Sequence, residues 1–189
     1  MLNKKIISIF FLISLLFNIP NLKAETKKNI IENINQTDSI KFDFVQITNS
    51  KEELGICYLK RPFYLKCQYK DKNQKELIVN KRTLIIYHKR YEKIYNYPLS
   101  KTYFTEILSK EKFIELIKNG VLAKKGSIII IKCKLEGKGE IDFYFNGKNF
   151  SLNGWDLNSL NENKISLKIF NSVKNPEIKK SFFDIPKIN

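Results

Sequence analysis

The sequence predicts a mainly β fold with helices (α+β), in which one strongly curved antiparallel sheet carries helices on one face. Two observations predict it. Apolar and polar residues alternate in short runs that turn-forming residues separate every 8 to 12 residues or so, as in antiparallel sandwiches and barrels. One stretch in the middle of the chain has a helical period instead. The 189 residues are 43% hydrophobic and 13% aromatic, enough for a sizeable core, which excludes global disorder.

The N-terminus has the pattern of a cleaved secretory signal peptide over residues 1–24. Lys4 and Lys5 form a positively charged start, a mostly apolar stretch runs from Ile6 to Ile19, and Ala24 supplies the small residue that signal peptidase needs. The alternative is a membrane anchor, but such a segment needs about 20 apolar residues. We therefore expect an exported protein.

The first helix and the first strand are predicted next to each other. Thr26 to Gln36 carries an isoleucine stripe at helical spacing, and the residues from Ile40 to Gln46 then alternate as in a strand. Further strands are predicted at Leu54–Lys60, Tyr64–Tyr69, Glu76–Val79, Thr83–His88, Lys93–Tyr97, Ser127–Leu135, Glu140–Phe145, Lys148–Leu152 and Lys164–Asn171. No composition shift or long linker divides the chain, so a single domain is expected.

One helix is predicted from Thr102 to Asn119, with Gly120 placed to cap its C-terminus. Its apolar stripe consists of Phe104, Ile107, Leu108, Phe113, Leu116 and Ile117. This stripe has two interpretations: ordinary core against the sheet, or the underside of a lid.

The composition excludes several classes of function. The chain has a single His and a single Trp, and it has no Gly-rich phosphate loop, catalytic carboxylate pair or nucleophile elbow. His88 has no partner in a recognisable catalytic arrangement, so we predict a protein that is not an enzyme and has no metal or cofactor. The net charge of +15 is spread along the chain. It indicates either a solvated basic surface or one that meets anionic membranes or acidic partners; an exported protein rarely meets nucleic acid, so no nucleic-acid role is expected.

Several segments together resemble the LolA family of periplasmic outer-membrane lipoprotein carriers. Lys60–Tyr69, which reads KRPFYLKCQY, is similar to that family's Arg-Pro-x-x-Phe-Arg-Trp-x-Tyr stretch, and Phe42–Gln46 is similar to its first strand. The other similar segments, in the family's order, are Leu77–Leu84, Pro98–Thr102, Leu152–Trp155, Ile165–Leu167 and Phe182–Pro186. Departures are Cys67 in place of Trp, Leu65 in place of Phe, Asn80-Lys81 in place of the Asp-Gly turn, and Tyr103 in place of a proline. They put the shape of a cavity in question rather than the fold.

The resemblance implies an incomplete antiparallel β-barrel over residues 25–189, covered by an α-helical lid, with a cavity for lipoprotein acyl chains. It implies a periplasmic monomer whose partners are triacylated lipoproteins, an inner-membrane lipoprotein-releasing ABC exporter and an outer-membrane lipoprotein receptor. The alternative is a sensor or regulatory module that uses the same half-barrel to bind lipid or another amphiphile.

The resemblance also gives the apolar residues of the sheet a candidate role. The predicted cavity lining is Phe42, Phe44, Leu59, Leu65, Ile85, Tyr87, Phe143 and Phe145, and the predicted lid stripe is Phe104, Ile107, Leu108, Phe113 and Leu116. From the residues alone, a dry barrel core is the competing interpretation. In the family the arginine at the position of Arg61 holds the lid closed through hydrogen bonds, whereas turn position alone would make Arg61 a solvated side chain.

The three cysteines allow more than one arrangement. Cys57 and Cys67 lie symmetrically about Pro62, the expected tip of a hairpin, so they would face each other across adjacent strands. An oxidising compartment favours a disulfide between them. The alternatives are two small buried thiols, or a pairing of one of them with Cys133, which we otherwise expect to be a buried free thiol.

Overall fold

A computed structural model of the protein describes residues 22–160 and 163–186, and it confirms the predicted fold class. Within these residues, eleven strands form one antiparallel sheet in the order β6-β5-β4-β3-β2-β1-β11-β10-β9-β8-β7. The predicted signal peptide lies outside the described residues, except for its last three positions, which begin the first helix.

The strands are short and joined mainly by tight turns. Their bounds are β1 Ser39–Thr48, β2 Lys51–Lys60, β3 Tyr64–Tyr69, β4 Lys75–Asn80, β5 Thr83–His88, β6 Lys93–Pro98, β7 Val121–Lys125, β8 Ile128–Leu135, β9 Gly139–Asn146, β10 Leu152–Ser159 and β11 Lys164–Lys174. The prediction of a strand at Lys148–Leu152 is wrong, because residues 147–151 form a turn and β10 begins only at Leu152. Strand β7 was not predicted.

Three α-helices lie in the described part of the chain: α1 (Leu22–Asn35), α2 (Phe104–Leu108) and α3 (Lys110–Asn119). The single helix predicted from Thr102 to Asn119 is therefore two. Ser109 separates them, because its extended backbone ends α2 while its hydroxyl accepts the N–H of Lys112 and starts α3. No helix of residues 22–160 and 163–186 is long and apolar enough to cross a membrane.

Gly120 ends α3 in a different way from the one predicted. Its backbone is extended rather than left-handed, so it is not a glycine cap of the usual kind. A Cβ at this position would overlap Ile131 and Cys133 of β8. Glycine is needed here because the chain passes close to the sheet.

The sheet has a different cover on each face. Its concave face meets the three helices across the main core, which includes Ile30 of α1 and Ile117 of α3. Its convex face carries a 3₁₀ turn, Lys180–Phe183, which packs on β3 and β4. This turn thus helps to form a second, smaller cluster, in which Tyr64 and Phe183 are buried.

Candidate ligand cavity and its lid

A mostly apolar cavity lies between the concave face of the sheet and the three helices. The sheet supplies Phe42, Phe44, Leu59, Leu65 and Phe145, all of them predicted as lining. Each of these side chains points inward because residues two apart along a strand share a face. Helices α2 and α3, which we call the lid, supply Phe104, Ile107, Leu108 and Phe113.

The remaining predicted residues lie elsewhere. For Ile85 and Tyr87 the predicted face of β5 is the wrong one: Leu84 belongs to the main core, whereas Ile85 pairs with Ile78 and Tyr87 with Glu76 on the convex side. An apolar strand that is buried on both faces does not reveal which residues point inward. Consecutive buried residues, Leu84 and Ile85, are the reason for this ambiguity.

Phe143 and Leu116 are core residues beside the cavity rather than part of its wall. The Phe143 ring is fully buried and meets the Phe113 ring edge-on, with 5.0 Å between the centroids. Leu116 is partly buried against the same core, and its carbonyl accepts the Cys133 thiol at 3.3 Å.

Arg61, in the turn between β2 and β3, bonds directly to the lid. Its Nη1 donates to the carbonyls of Ile107 and Leu108, at 2.9 and 3.2 Å, in the last turn of α2. These carbonyls have no partner within the helix, and a guanidinium fork suits them. The guanidinium also lies over the Phe113 ring, 5.6 Å from its centroid.

The charge of Arg61 sits in a mostly buried place. Burial lowers the pKa of the guanidinium to about 10, and the nearby carboxylates of Glu111 and Asp38 oppose this effect. The side chain is therefore still a cation at neutral pH, so both hydrogen bonds to the lid are charge-assisted.

Two lysines hold the other ends of the helices. Lys27 of α1 donates to the carbonyls of Lys118 and Gly120 at the C-terminus of α3, at 2.6 and 2.7 Å. Lys110 donates to the carbonyl of Asn35 and, at 2.6 Å, to the carboxylate of Asp38. Helix α1 thus braces the lid from the side, and its Ile34 also lines the cavity.

The Cys57 and Cys67 side chains are joined in a disulfide that lines the cavity. The two residues are directly opposite in the β2–β3 pair, so the disulfide lies across the hairpin whose turn carries Arg61. Cys133 has a free, buried thiol, and burial raises its pKa to about 12. It is therefore a packing residue and not a reactive one.

One end of the cavity is polar. Tyr69 donates its hydroxyl hydrogen to Oε1 of Gln46 at 2.9 Å, and the Lys75 ammonium lies 3.7 Å from the centroid of the Tyr69 ring. Burial raises the pKa of Tyr69 well above its ordinary value, so the phenol is neutral. This cluster closes the cavity at the ends of β1 and β3.

Trp155 and Leu152, which were not predicted, both line the cavity although they are three residues apart in β10. They share a face because the pairing of β9 with β10 shifts between Leu152 and Gly154. Gly154 has a φ of +147°, and a Cβ there would collide with the carbonyl of Leu167 on the neighbouring strand. A lone glycine within a strand pattern was the available signal for this bulge.

The space enclosed by sheet and lid is small, with a volume of about 80 Å³. An apolar cavity of about 150 Å³ binds a benzene molecule. A hydrocarbon chain of membrane length is larger than benzene, so it fits only if the lid moves away from the sheet. The structure is that of the closed arrangement, in which Arg61 bonds to α2.

Known proteins provide a comparison. The sequence model of the family described as "Outer membrane lipoprotein carrier protein LolA" matches residues 35–186. No protein among curated sequences matches the chain. Among solved structures, an uncharacterized conserved protein from Thermus thermophilus is similar, with a TM-score of 0.54 and 10% identity over 87% of this chain and 94% of that one.

Two further structures are similar in fold. A DUF1329 family protein from Desulfovibrio piger has a TM-score of 0.50 and 8% identity, over 85% of this chain and 96% of that one. MucB has a TM-score of 0.50 and 8% identity, over 88% of this chain and 64% of that one. At such identities the likeness shows a shared fold and nothing finer.

Proposed function

The chain belongs to the LolA family of outer membrane lipoprotein carriers, and on that premise we propose that it carries lipoproteins across the periplasm by holding their acyl chains in the cavity. Its cargo is then a triacylated lipoprotein, received from an inner-membrane lipoprotein-releasing ABC exporter and passed to an outer-membrane receptor. In this function the protein binds and releases without catalysing a reaction.

The observation that carries the proposal is the Arg61 latch over an apolar cavity. At the C-terminus of α2, Arg61 ties the lid to the sheet by two hydrogen bonds to main-chain carbonyls, which can break without unfolding the sheet. Beneath it lie aromatic and aliphatic side chains from β1, β2 and β3, which face the apolar side chains of α2 and α3 across the cavity. A permanently packed core has no need of a buried cation at its cover, since placing a charge there is costly.

The expected binding energy suits a carrier that must also release its cargo. Each CH₂ group withdrawn from water contributes about 0.8 kcal/mol, so three long acyl chains would bind very tightly to an open apolar cavity. Here the cavity closes on itself, and loading must first separate the lid from the sheet. The cost of opening weakens the net affinity, so that a receptor with a ready-made cavity can take the cargo without ATP.

The test is native mass spectrometry of the chain from Glu25 onward, mixed with a triacylated lipoprotein in detergent, which is then removed. We expect a soluble one-to-one complex. The matched control is the same lipoprotein without its acyl chains, which should not bind.

The other outcomes are equally informative. Absence of a complex, with the fold intact by circular dichroism, would contradict the proposal and leave a half-barrel with a filled interior. Capture of phospholipid but not of lipoprotein would point to the other function considered, a lipid-binding or sensor module.

A further inference from the structure

A second pocket adjoins the cavity at the other end of α2. This pocket, which we call the vestibule, is open to solvent and has a volume of about 370 Å³. Its apolar wall includes Leu84, Leu157 and Ile165, and its rim includes Lys138 and Ser159. Tyr103 and Phe104 line both the vestibule and the cavity.

The vestibule and the cavity are successive compartments on one face of the sheet. Along the β10–β11 pair, Trp155 lies opposite Leu167, and both line the cavity. Two residues further along, Leu157 lies opposite Ile165, and both line the vestibule. Residues two apart share a face. The apolar floor is therefore continuous, and Tyr103 and Phe104 divide it.

The two rings that make this division belong to a short helical segment. The Tyr103 and Phe104 rings are stacked, with 4.4 Å between centroids and 27° between planes. They stand at the first turn of α2, a helix of only five residues that is preceded by a 3₁₀ turn at Leu99–Lys101. A short helix with little internal hydrogen bonding shifts more easily than a strand within the sheet.

Lys138 fixes this end of α2 from the turn between β8 and β9. Its ammonium donates to the carbonyl of Thr102 at 3.0 Å and to Oε1 of Glu106 at 2.8 Å. The side chains of Lys138 and Glu106 are only about a fifth exposed, so the ion pair is largely shielded from water. Arg61 and Lys138 thus hold opposite ends of the same helix.

Two residues that line the vestibule, Lys138 and Ser159, each have a hydrogen-bond donor left unused by the described residues. An ammonium has three N–H donors, and Lys138 uses two of them on α2. The buried hydroxyl of Ser159 has no hydrogen-bond partner among the described residues. Donors at the rim of an apolar compartment match the end of an acyl ester, whose carbonyl oxygens accept hydrogen bonds and whose hydrocarbon chain does not.

We propose that the vestibule is the entrance through which an acyl chain reaches the cavity, and that the stacked Tyr103–Phe104 pair is the gate, held shut by Lys138. In the loaded protein the hydrocarbon lies past the gate and the ester end stays in the vestibule, near Lys138 and Ser159. This inference rests on the proposed function, since it assigns a route to the same cargo.

The first test blocks the vestibule with a reagent of chosen size. Leu160, at its rim, is 69% exposed, while Cys133 is buried and the other two cysteines are oxidised, so Leu160→Cys adds a single accessible thiol to the described residues. The probe is a fluorescent triacylated lipopeptide, and its loading rate is measured by stopped flow. A bulky maleimide on this thiol should slow loading about tenfold or more, because the chain must pass an occupied entrance.

Two controls match this variant. A methylthio group on the same cysteine is too small to fill the vestibule and should leave the rate unchanged. Leu54→Cys, at an exposed leucine of β2 outside both compartments, should load normally with either reagent. Normal loading of the maleimide-blocked Leu160→Cys protein would overturn the entrance while leaving the carrier function in place. Failure of the unlabelled protein to bind the lipopeptide would overturn both.

The second test releases the gate. Lys138→Gln removes the charged bonds to α2 and should speed loading about tenfold, the effect expected of a charge-assisted hydrogen bond. Lys134→Gln makes the same change of charge at an exposed lysine of β8 and should not alter the rate. A phospholipid with the same acyl chains, measured in parallel, distinguishes a general acyl-ester entrance from one for lipoproteins. Unchanged or slower loading of both ligands by Lys138→Gln would overturn the role given to Lys138.

Discussion

The two faces of this sheet have different covers. On the concave side the lid spans an incompletely filled space and is tied down by cations that bond to main-chain carbonyls. On the convex side the Lys180–Phe183 turn contributes Phe183, which is fully buried, with its ring 5.5 Å from that of Tyr64. Both covers bury apolar side chains, Ile107 and Phe113 in the lid and Phe183 in the turn. The lid has in addition the charge-assisted bonds from Arg61 and Lys138.

The largest loss of stability is expected from removing a buried ring of the Lys180–Phe183 turn. Phe183→Ala removes a fully buried ring, which should lower the free energy of unfolding by about 3–5 kcal/mol. Urea unfolding measures it, and Phe182→Ala is the matched control, since that neighbouring ring is only partly buried and its loss should cost less. Equal losses of stability for the two variants would contradict the structural role given to Phe183. A loss of lipopeptide binding by Phe183→Ala, under conditions where it remains folded, would contradict the assignment of binding to the opposite face.

A smaller loss of stability but a larger change of function is expected at the lid. Arg61→Leu removes both bonds to α2 and should lower the free energy of unfolding by about 1–3 kcal/mol. The lid then opens more readily, so lipopeptide should bind more tightly and its transfer to a receptor should slow. Hydrogen exchange in α2 and α3 and the rate of transfer measure these effects.

Arg82→Leu, at an exposed arginine in the turn between β4 and β5, is the control for the Arg61 variant. It should behave as wild type in both measurements. Transfer at the wild-type rate from Arg61→Leu would mean that Arg61 is a structural residue and not a latch.

The smallest effect expected is that of Glu76 on the stability of the protein at low pH. The Glu76 carboxylate is 3% exposed on the convex face and meets Lys66, Lys89 and Gln68. Burial works to raise its pKa, but the hydrogen bonds from Lys89 and Gln68 and the charges of Lys66 and Lys89 together outweigh burial, so the pKa lies below its ordinary value. A carboxyl with a lowered pKa stabilises the fold above its ordinary pKa of 4.5, and this contribution is lost as the pH falls further.

Glu76→Gln should therefore lose about 1 kcal/mol at neutral pH and show a flatter decline of stability below pH 4.5. Thermal unfolding between pH 7 and pH 3 measures it. Asp38→Asn, whose side chain is 80% exposed at the edge of the lid, should change little, because exposed ion pairs contribute little. A decline as steep in Glu76→Gln as in wild type would show that other groups cause the loss in acid.

The sequence predicted the sheet well because its signals are local. The bounds of β3 and β5 agree with the predicted runs, since alternation and turn residues specify them directly. The division of the lid at Ser109 was not predicted. A serine within an apolar stripe indicates the start of a helix only when its backbone is known to be extended. The packing of Phe183 on the opposite face depends on contacts with residues more than 100 positions away, which no local pattern encodes.

The candidate site was predictable only in part, for a related reason. Phe42 and Phe44 alternate with polar residues, so their inward direction follows from the pattern, whereas β5 is apolar on both faces and its direction does not. The Tyr103–Phe104 gate and its tie to Lys138 join segments that lie far apart in the sequence. Such an arrangement depends on the curvature of the sheet, which composition and spacing do not specify.

The order of the strands also sets an order of events for folding. Every neighbouring pair in the sheet is formed by consecutive strands, except β1 with β11. Strand β1 pairs with β2 at once, but its other edge must wait for β11, where Ile40 meets Lys174. Until β11 pairs with it, β1 of the folding chain has an unpaired edge that another molecule could join. The time that β11 takes to pair therefore sets how long this edge is exposed to association.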